Sequence, residues 1–224
     1  MTKARYFDQQ FGSLRQMILD MGATVEKAIE CALNGLIEKN PDALKQVKEL
    51  EARVNQFHLD IDEACLKVLA RQAPMASDLR LVLSCIKINA DLERMGDQAL
   101  NIAHYGRHYV GEIPLQSLID LPKMGEEVRK MTREALDAFF RQDQELANAV
   151  LLNDDIVDAY KHSIFDELIG IMKQDPKNVD RAMDLLLISR NLERIADHAT
   201  NIAEEVIFVA SGVDIRHGAH KSVG

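Results

Sequence analysis

Asn191-Leu192-Glu193-Arg194-Ile195-Ala196-Asp197-His198-Ala199-Thr200-Asn201-Ile202-Ala203 decides how the chain is read, because it occurs twice. The earlier copy is Asp91-Leu92-Glu93-Arg94-Met95-Gly96-Asp97-Gln98-Ala99-Leu100-Asn101-Ile102-Ala103, and the two agree at eight of thirteen positions. Chance would supply about one match, so this is an internal repeat. Leu92, Met95, Ala99 and Ile102 follow a three-four spacing, as do Leu192, Ile195, Ala199 and Ile202. That spacing is the buried stripe of an α-helix. Glu93, Asp97 and Asn101 recur at i, i+4 and i+8, and so do Glu193, Asp197 and Asn201. Each triplet stacks oxygen donors on one helix face beside the core stripe.

The rest of the chain fits around these copies. Phe11, Leu14, Ile18, Met21, Val25, Ile29, Leu33 and Leu36 predict a first helix over 8–39. Asn40-Pro41-Asp42 ends it, since proline suits a first helical turn and not an interior. Leu44, Val47, Leu50, Val54, Phe57, Ile61, Ala64 and Val68 predict a second helix over 42–71, and Ala73-Pro74 breaks it. Ser77 or Asp78 caps a third helix running to about residue 109. Gly111, Pro114 and Pro122 mark 111–122 as a linker. Beyond it the plan restarts. Met124-Gly125 with Val128 and Lys130 echoes Met21-Gly22 with Val25 and Lys27, and Asp154, Val157 and Asp158 fall opposite Glu51, Val54 and Asn55. Asp175-Pro176 breaks the chain again before the last helix. The expected fold is all-α: two tandem, similar three-helix bundles at 1–110 and 123–212, joined by 111–122, with a tail at 213–224.

Composition narrows the function. The 224 residues are 47 % apolar and lack Trp, which suits a helical globular protein. A net charge of −9 without a basic cluster argues against nucleic acid. The longest run free of Asp, Glu, Lys and Arg is Gln98–Gly106, nine residues, against the roughly 20 a spanning helix needs. Met1-Thr2-Lys3-Ala4-Arg5 is not followed by the apolar segment of a secretory signal. Cys31, Cys65 and Cys85, an odd set without CxxC spacing, read as reduced core thiols of a cytoplasmic protein. No GxSxG, GxxxxGK[ST] or GxGxxG occurs, so neither a nucleophile elbow nor a nucleotide loop is expected, and no organic cofactor. No Glu is followed by His three residues on, against the di-iron bundle enzymes. The expectation is a non-enzymatic protein.

The remaining chemistry is carboxylate-rich. Glu51, Asn55, His58 and Asp62 each follow a core position of the second helix, while Asp154, Asp158 and His162 stack along the fifth. Antiparallel neighbours would pair Glu51/Asn55 with Glu93/Asp97, and Asp154/Asp158 with Glu193/Asp197. Facing carboxylates raise each other's pKa, and a bound cation relieves the repulsion. Candidate metal ligands are therefore Glu51, Glu93, Asp97, Asp154, Asp158, Glu193 and Asp197. Iron, zinc, manganese and magnesium suit such donors. The competing reading is a solvated flank salt-bridged to Arg94, Arg194 or Lys161. Whether His58 or His162 ligates stays open; His198 points about 100° away from Asp197 and reads as a surface or interhelix residue rather than a ligand of the same site. Four carboxylates in the second half against three and Asn55 in the first favour tighter binding in the second.

Taken together, Leu92-Glu93-Arg94-Met95-Gly96-Asp97 and Leu192-Glu193-Arg194-Ile195-Ala196-Asp197, with Ile61-Asp62-Glu63-Ala64-Cys65, Pro74-Met75-Ala76-Ser77-Asp78-Leu79-Arg80 and Asp214-Ile215-Arg216-His217, resemble the PhoU family. The resemblance implies two three-helix bundles in a cytoplasmic homodimer. It implies negative regulation of the phosphate-starvation response and restraint of phosphate uptake. The implied partners are a phosphate ABC transporter and a sensor histidine kinase, through which alone the protein meets the membrane. Some members bind metal clusters at the positions that are here Glu93/Asp97 and Glu193/Asp197. Asn55 departs from the acidic pattern, which bears on the first site, and Ala196 replaces Gly96, which a helix should tolerate. A metal-dependent helical-bundle enzyme and a metal-independent structural adaptor are the rival readings.

Overall fold

Six long helices carry the chain in the computed structural model, which describes residues 3–72, 77–111, 115 and 120–215. They are α1 (Lys3–Ile37), α2 (Pro41–Gln72), α3 (Ser77–Val110), α4 (Leu121–Arg141), α5 (Gln144–Gln174) and α6 (Val179–Ser211), with a short 3-10 turn at Pro176–Asn178 before α6. No strand occurs among the described residues. The fold is all-α, as the periodicity predicts. None of the described helices is long and apolar enough to cross a membrane. The predicted break at Ala73-Pro74, most of the 111–122 linker and the end of the tail lie outside the described residues. Pro122 belongs to the first turn of α4, not to the linker.

The turns repeat as well as the helices. Lys39 and Gln142 both adopt left-handed backbone (φ 53° each), and both end the first helix of their half. The residue that follows caps the next helix. Asn40 Oδ1 accepts from the amides of Asp42 and Ala43, and Asp143 Oδ1 accepts from those of Glu145 and Leu146. These side chains satisfy amides that have no partner inside the helix. Corresponding residues here are offset by 103.

Within each half the three helices pack on one another, and the halves also meet along α3–α6 and α1–α4. The stripes of the two repeated motifs are buried: Leu92, Met95, Ala99, Ile102 and their counterparts Leu192, Ile195, Ala199 and Ile202 are all inaccessible. The α1–α4 contact is reciprocal. A Cβ on Gly22 would lie 2.6 Å from Leu136 Cδ1, and one on Gly125 would lie 2.8 Å from Leu33 Cδ1. Gly22 and Gly125 correspond across the repeat, as do Leu33 and Leu136. Two like surfaces therefore meet about a local two-fold, the arrangement of an isologous interface within one chain. Cys31, Cys65 and Cys85 are free and buried, as expected.

Candidate functional site: the acidic seams

Val157 on α5 and Leu192 and Ala196 on α6 face the core, which turns their neighbours Asp154, Asp158, Glu193 and Asp197 onto the flanks. These four carboxylates share one electrostatic environment. The Asp154 carboxyl is pushed up to about 6, first by burial and then by Asp197, Asp158, Asp155 and Glu193. Asp197 is raised by burial, then by Glu193 and Asp158, against the lowering effect of His198 and Lys161. The acids that the spacing pairs in the second half thus feel one another's charge across α5 and α6.

A cation already stands in that seam. Lys161 Nζ donates to Glu193 Oε1 at 2.6 Å, crossing from α5 to α6. This bond leads the effects that hold the Lys161 ammonium above its ordinary range. The pairing is interhelical, not the contact along one helix that a solvated flank would show. His162 is exposed, and its Nδ1 lies 2.7 Å from the Asp158 carbonyl oxygen of its own helix, so that nitrogen is already engaged.

The first half is built differently. Gly96 lets α2 come close: a Cβ there would sit 3.0 Å from Val54 Cγ1. The glycine-to-alanine difference between the motifs is therefore a packing difference, since Gly96 leaves room that Ala196 fills. Val54 and Gly96 place their neighbours Asn55 and Asp97 on adjoining flanks, with Glu51 and Glu93 one turn earlier on their own helices. Asn55 Nδ2 donates to Glu51 Oε1 at 2.5 Å, so the neutral residue is tied to an acid of its own helix. His58 occupies the repeat position of Lys161. Its Nε2 lies 3.6 Å from Asp62 Oδ2, and its Nδ1 is buried without a hydrogen-bond partner. A buried ring nitrogen left unpaired is unusual and calls for an explanation.

The donors in both seams suit a hard cation, and His58 adds an imidazole nitrogen to the first. Among the described residues, however, no group of three or more His, Cys, Asp or Glu side chains stands ready to hold a metal ion. The seams are acid-rich flanks whose side chains would have to turn inward to ligate.

Other polar groups escaped the sequence reading. Glu205, 3 % exposed, accepts from Ser84 Oγ at 2.7 Å and Lys87 Nζ at 2.8 Å. Asp91, also buried, accepts from His198 Nδ1 at 2.9 Å and Asn201 Nδ2 at 3.1 Å. These bonds tie α3 to α6. They make His198 the interhelix residue its angle implied, and they turn Asn201 away from the Glu193/Asp197 ladder. The available signal was Ser84, Lys87 and Asp91, spaced three and four apart as a polar stripe along one face of the third helix.

These features define a class: a helical protein of two repeats, stitched across its middle by buried polar pairs, with an acidic seam in each repeat. The family model described as PhoU domain matches residues 18–106 and 121–206. The chain is 40 % identical to a phosphate-specific transport system accessory protein PhoU homolog of Pseudomonas aeruginosa, over 96 % of this chain and 89 % of that one. It is 32 % identical to phosphate-specific transport system accessory protein PhoU of Escherichia coli, over 94 % and 88 %. The crystal structure of PhoU from Pseudomonas aeruginosa matches with a TM-score of 0.90 at 39 % identity, over 92 % of this chain and all of that one. The phosphate transport system regulatory protein PhoU from Streptococcus pneumoniae matches with a TM-score of 0.84 at 30 % identity, over 93 % and 98 %. The chain belongs to the PhoU family.

Proposed function

We propose that the protein is a non-enzymatic accessory protein of a phosphate-specific transport system. In this reading it works in the cytoplasm as a homodimer and reaches the membrane only through a phosphate ABC transporter and a sensor histidine kinase. When phosphate is plentiful it keeps the kinase from switching on the starvation response and restrains uptake. The observation that carries this reading is the end-to-end match, 96 % of this chain on 89 % of a relative named as such an accessory protein. The test is partition between membrane and supernatant, in cells with and without the transporter and the kinase. Membrane association should disappear when both are deleted; retention in their absence contradicts the reading.

The seams are proposed as metal sites within that function. Glu51, Glu93 and Asp97 with His58 would hold an ion in the first half, and Asp154, Asp158, Glu193 and Asp197 in the second. A bound iron, zinc, manganese or magnesium ion would neutralise the crowded carboxylates and brace each helix pair. Charge count favours the second seam, but Lys161 stands there as an internal counter-ion that an incoming metal must overcome. The unpaired His58 nitrogen favours the first. We therefore place the tighter site in the first half, reversing the order that charge count alone gives. Elemental analysis after chelator-free purification tests this. Glu93→Ala/Asp97→Ala should lose more metal than Glu193→Ala/Asp197→Ala, and equal metal content in both variants and wild type contradicts metal sites altogether.

A further inference from the structure

An open trough of about 680 Å³ runs between α5 and α6. One end is apolar, formed by Phe165, Leu186 and Leu187; Arg190 and Arg194 line it one helical turn apart; Glu193 and Asp197 lie toward the other end. Its α6 wall extends from Leu186 to Asp197, which at about 1.5 Å per residue is roughly 16 Å, or three turns.

The first half bridges the equivalent place with side-chain bonds. Asp62 stands at the repeat position of Phe165, and Asn89 at that of Ser189. Asn89 Nδ2 donates to Asp62 Oδ1 at 2.9 Å and to the His58 carbonyl oxygen at 3.0 Å, fastening α2 to α3. In the second half Ser189 Oγ turns back to the Leu186 carbonyl oxygen at 2.9 Å. Phe165 is left 52 % exposed. One repeat thus bridges its two helices with side-chain bonds at a place where the other carries an exposed aromatic ring.

The charges identify what fits. On a chain of net charge −9, Arg190 and Arg194 form no ion pair with a described carboxylate, whereas Lys161 beside them is committed to Glu193. Two guanidinium groups one turn apart match two carboxylates one turn apart, and such charge-assisted pairs are directional. Arginine and aromatic side chains together are the usual anchors of protein interfaces. An open trough three turns long flanked by two helices accepts a third helix. We propose that this trough docks an amphipathic helix of a partner protein, with an apolar side chain seated on Phe165, Leu186 and Leu187 and two acidic residues, four apart, on Arg190 and Arg194. The trough shares Glu193 and Asp197 with the second acidic seam, but the docking contacts proposed are those of Phe165, Leu186, Leu187, Arg190 and Arg194 and need no bound metal.

The test places a photo-crosslinking phenylalanine analogue at Phe165 of the full chain in growing cells, and in parallel at Asp62, the matching position of the first repeat, as the control. Crosslinked peptides should come from the Phe165 position at least tenfold more than from Asp62. They should map to a helical segment carrying carboxylates at i and i+4. Arg190→Glu/Arg194→Glu should reduce the yield at least tenfold, and changing the two partner carboxylates to lysine should restore it. Arg190→Gln/Arg194→Gln, a milder change on an exposed face, should weaken the crosslink several-fold with the helical circular dichroism unchanged. Equal yields at Phe165 and Asp62, no product, a product with nucleic acid, with a second copy of this chain or with a basic segment, or a yield indifferent to charge reversal would each overturn the proposal.

Discussion

Lys161 is the residue on which the chemistry of the second seam turns. Its ammonium satisfies Glu193 and lowers the repulsion felt by Asp197. A divalent ion entering the seam must work against that charge. Unit charges about 4 Å apart interact by roughly 4 kcal/mol at an effective dielectric constant of 20, and solvent screening at a partly exposed site reduces this well below that figure. Lys161→Met should therefore strengthen metal binding in the second seam by about tenfold, which is about 1.4 kcal/mol. Calorimetric titration of chelator-stripped protein checks this; unchanged or weaker binding removes Lys161 from the account. Asp154 supplies a second test. Burial and the neighbouring carboxylates push its folded carboxyl up to about 6, above the ordinary Asp range near 4, so between these pH values the folded chain holds a proton that the unfolded chain has lost. Stability of the metal-free protein must then fall as pH rises through that window. Asp154→Asn should flatten the fall, be more stable than wild type at pH 7 and differ little at pH 3.5. Urea denaturation at several pH values with chelator present decides it, and a fall as steep as wild type in the variant would exclude Asp154 as its source.

Glycines in the helices obey opposite rules depending on their neighbours. A Cβ on Gly35 would meet Leu44 Cγ and Cδ2 at 2.6 Å and the Leu44 amide nitrogen at 3.0 Å, while one on Gly170 meets nothing within 4 Å. Leu44 is 1 % exposed and cannot step aside. Overpacking of this kind costs about 1–3 kcal/mol, against the roughly 1 kcal/mol that alanine gains over glycine in a helix. Gly35→Ala should destabilise by about 1 kcal/mol and Gly170→Ala should stabilise by up to about 1 kcal/mol, both read from urea midpoints. Shifts of the same sign would mean that the α1–α2 approach is looser than described. The helices themselves were legible in the sequence because core spacing survives any reading of rotation. The turns were only half legible: Pro41 announced α2, but Lys39 and Gln142 take left-handed backbone without a glycine to signal it. That Asp154 and Asp158 feel the charges of Glu193 and Asp197 follows from placement the sequence does show: Asp158, Glu193 and Asp197 each follow a core residue, and Asp154 lies one turn before Asp158. That Lys161 crosses between helices, that His58 leaves a nitrogen unpaired and that Asn55 turns to Glu51 depend on side-chain rotamers, which spacing does not encode.

At the scale of the whole molecule, duplication explains both the likeness and the division of labour between the halves. The repeat was visible in eight matched positions, but the way the halves meet was not. Asp91 and Glu205 look like surface charges in a sequence, yet each is buried and receives donors from across the α3–α6 contact. Buried carboxylates persist when such donors surround them. The joined halves carry an acidic seam each, with an open trough beside the second and a side-chain bridge between α2 and α3 at the matching place in the first. This arrangement suits a protein that acts by contact with partners. The most direct measurement of that claim is expression of a phosphate-repressed reporter gene, in high phosphate, in a strain from which this chain is deleted. Derepression that plasmid-borne wild-type chain reverses is the expected result. Full repression in the deletion strain, with phosphate uptake also unchanged, would contradict it.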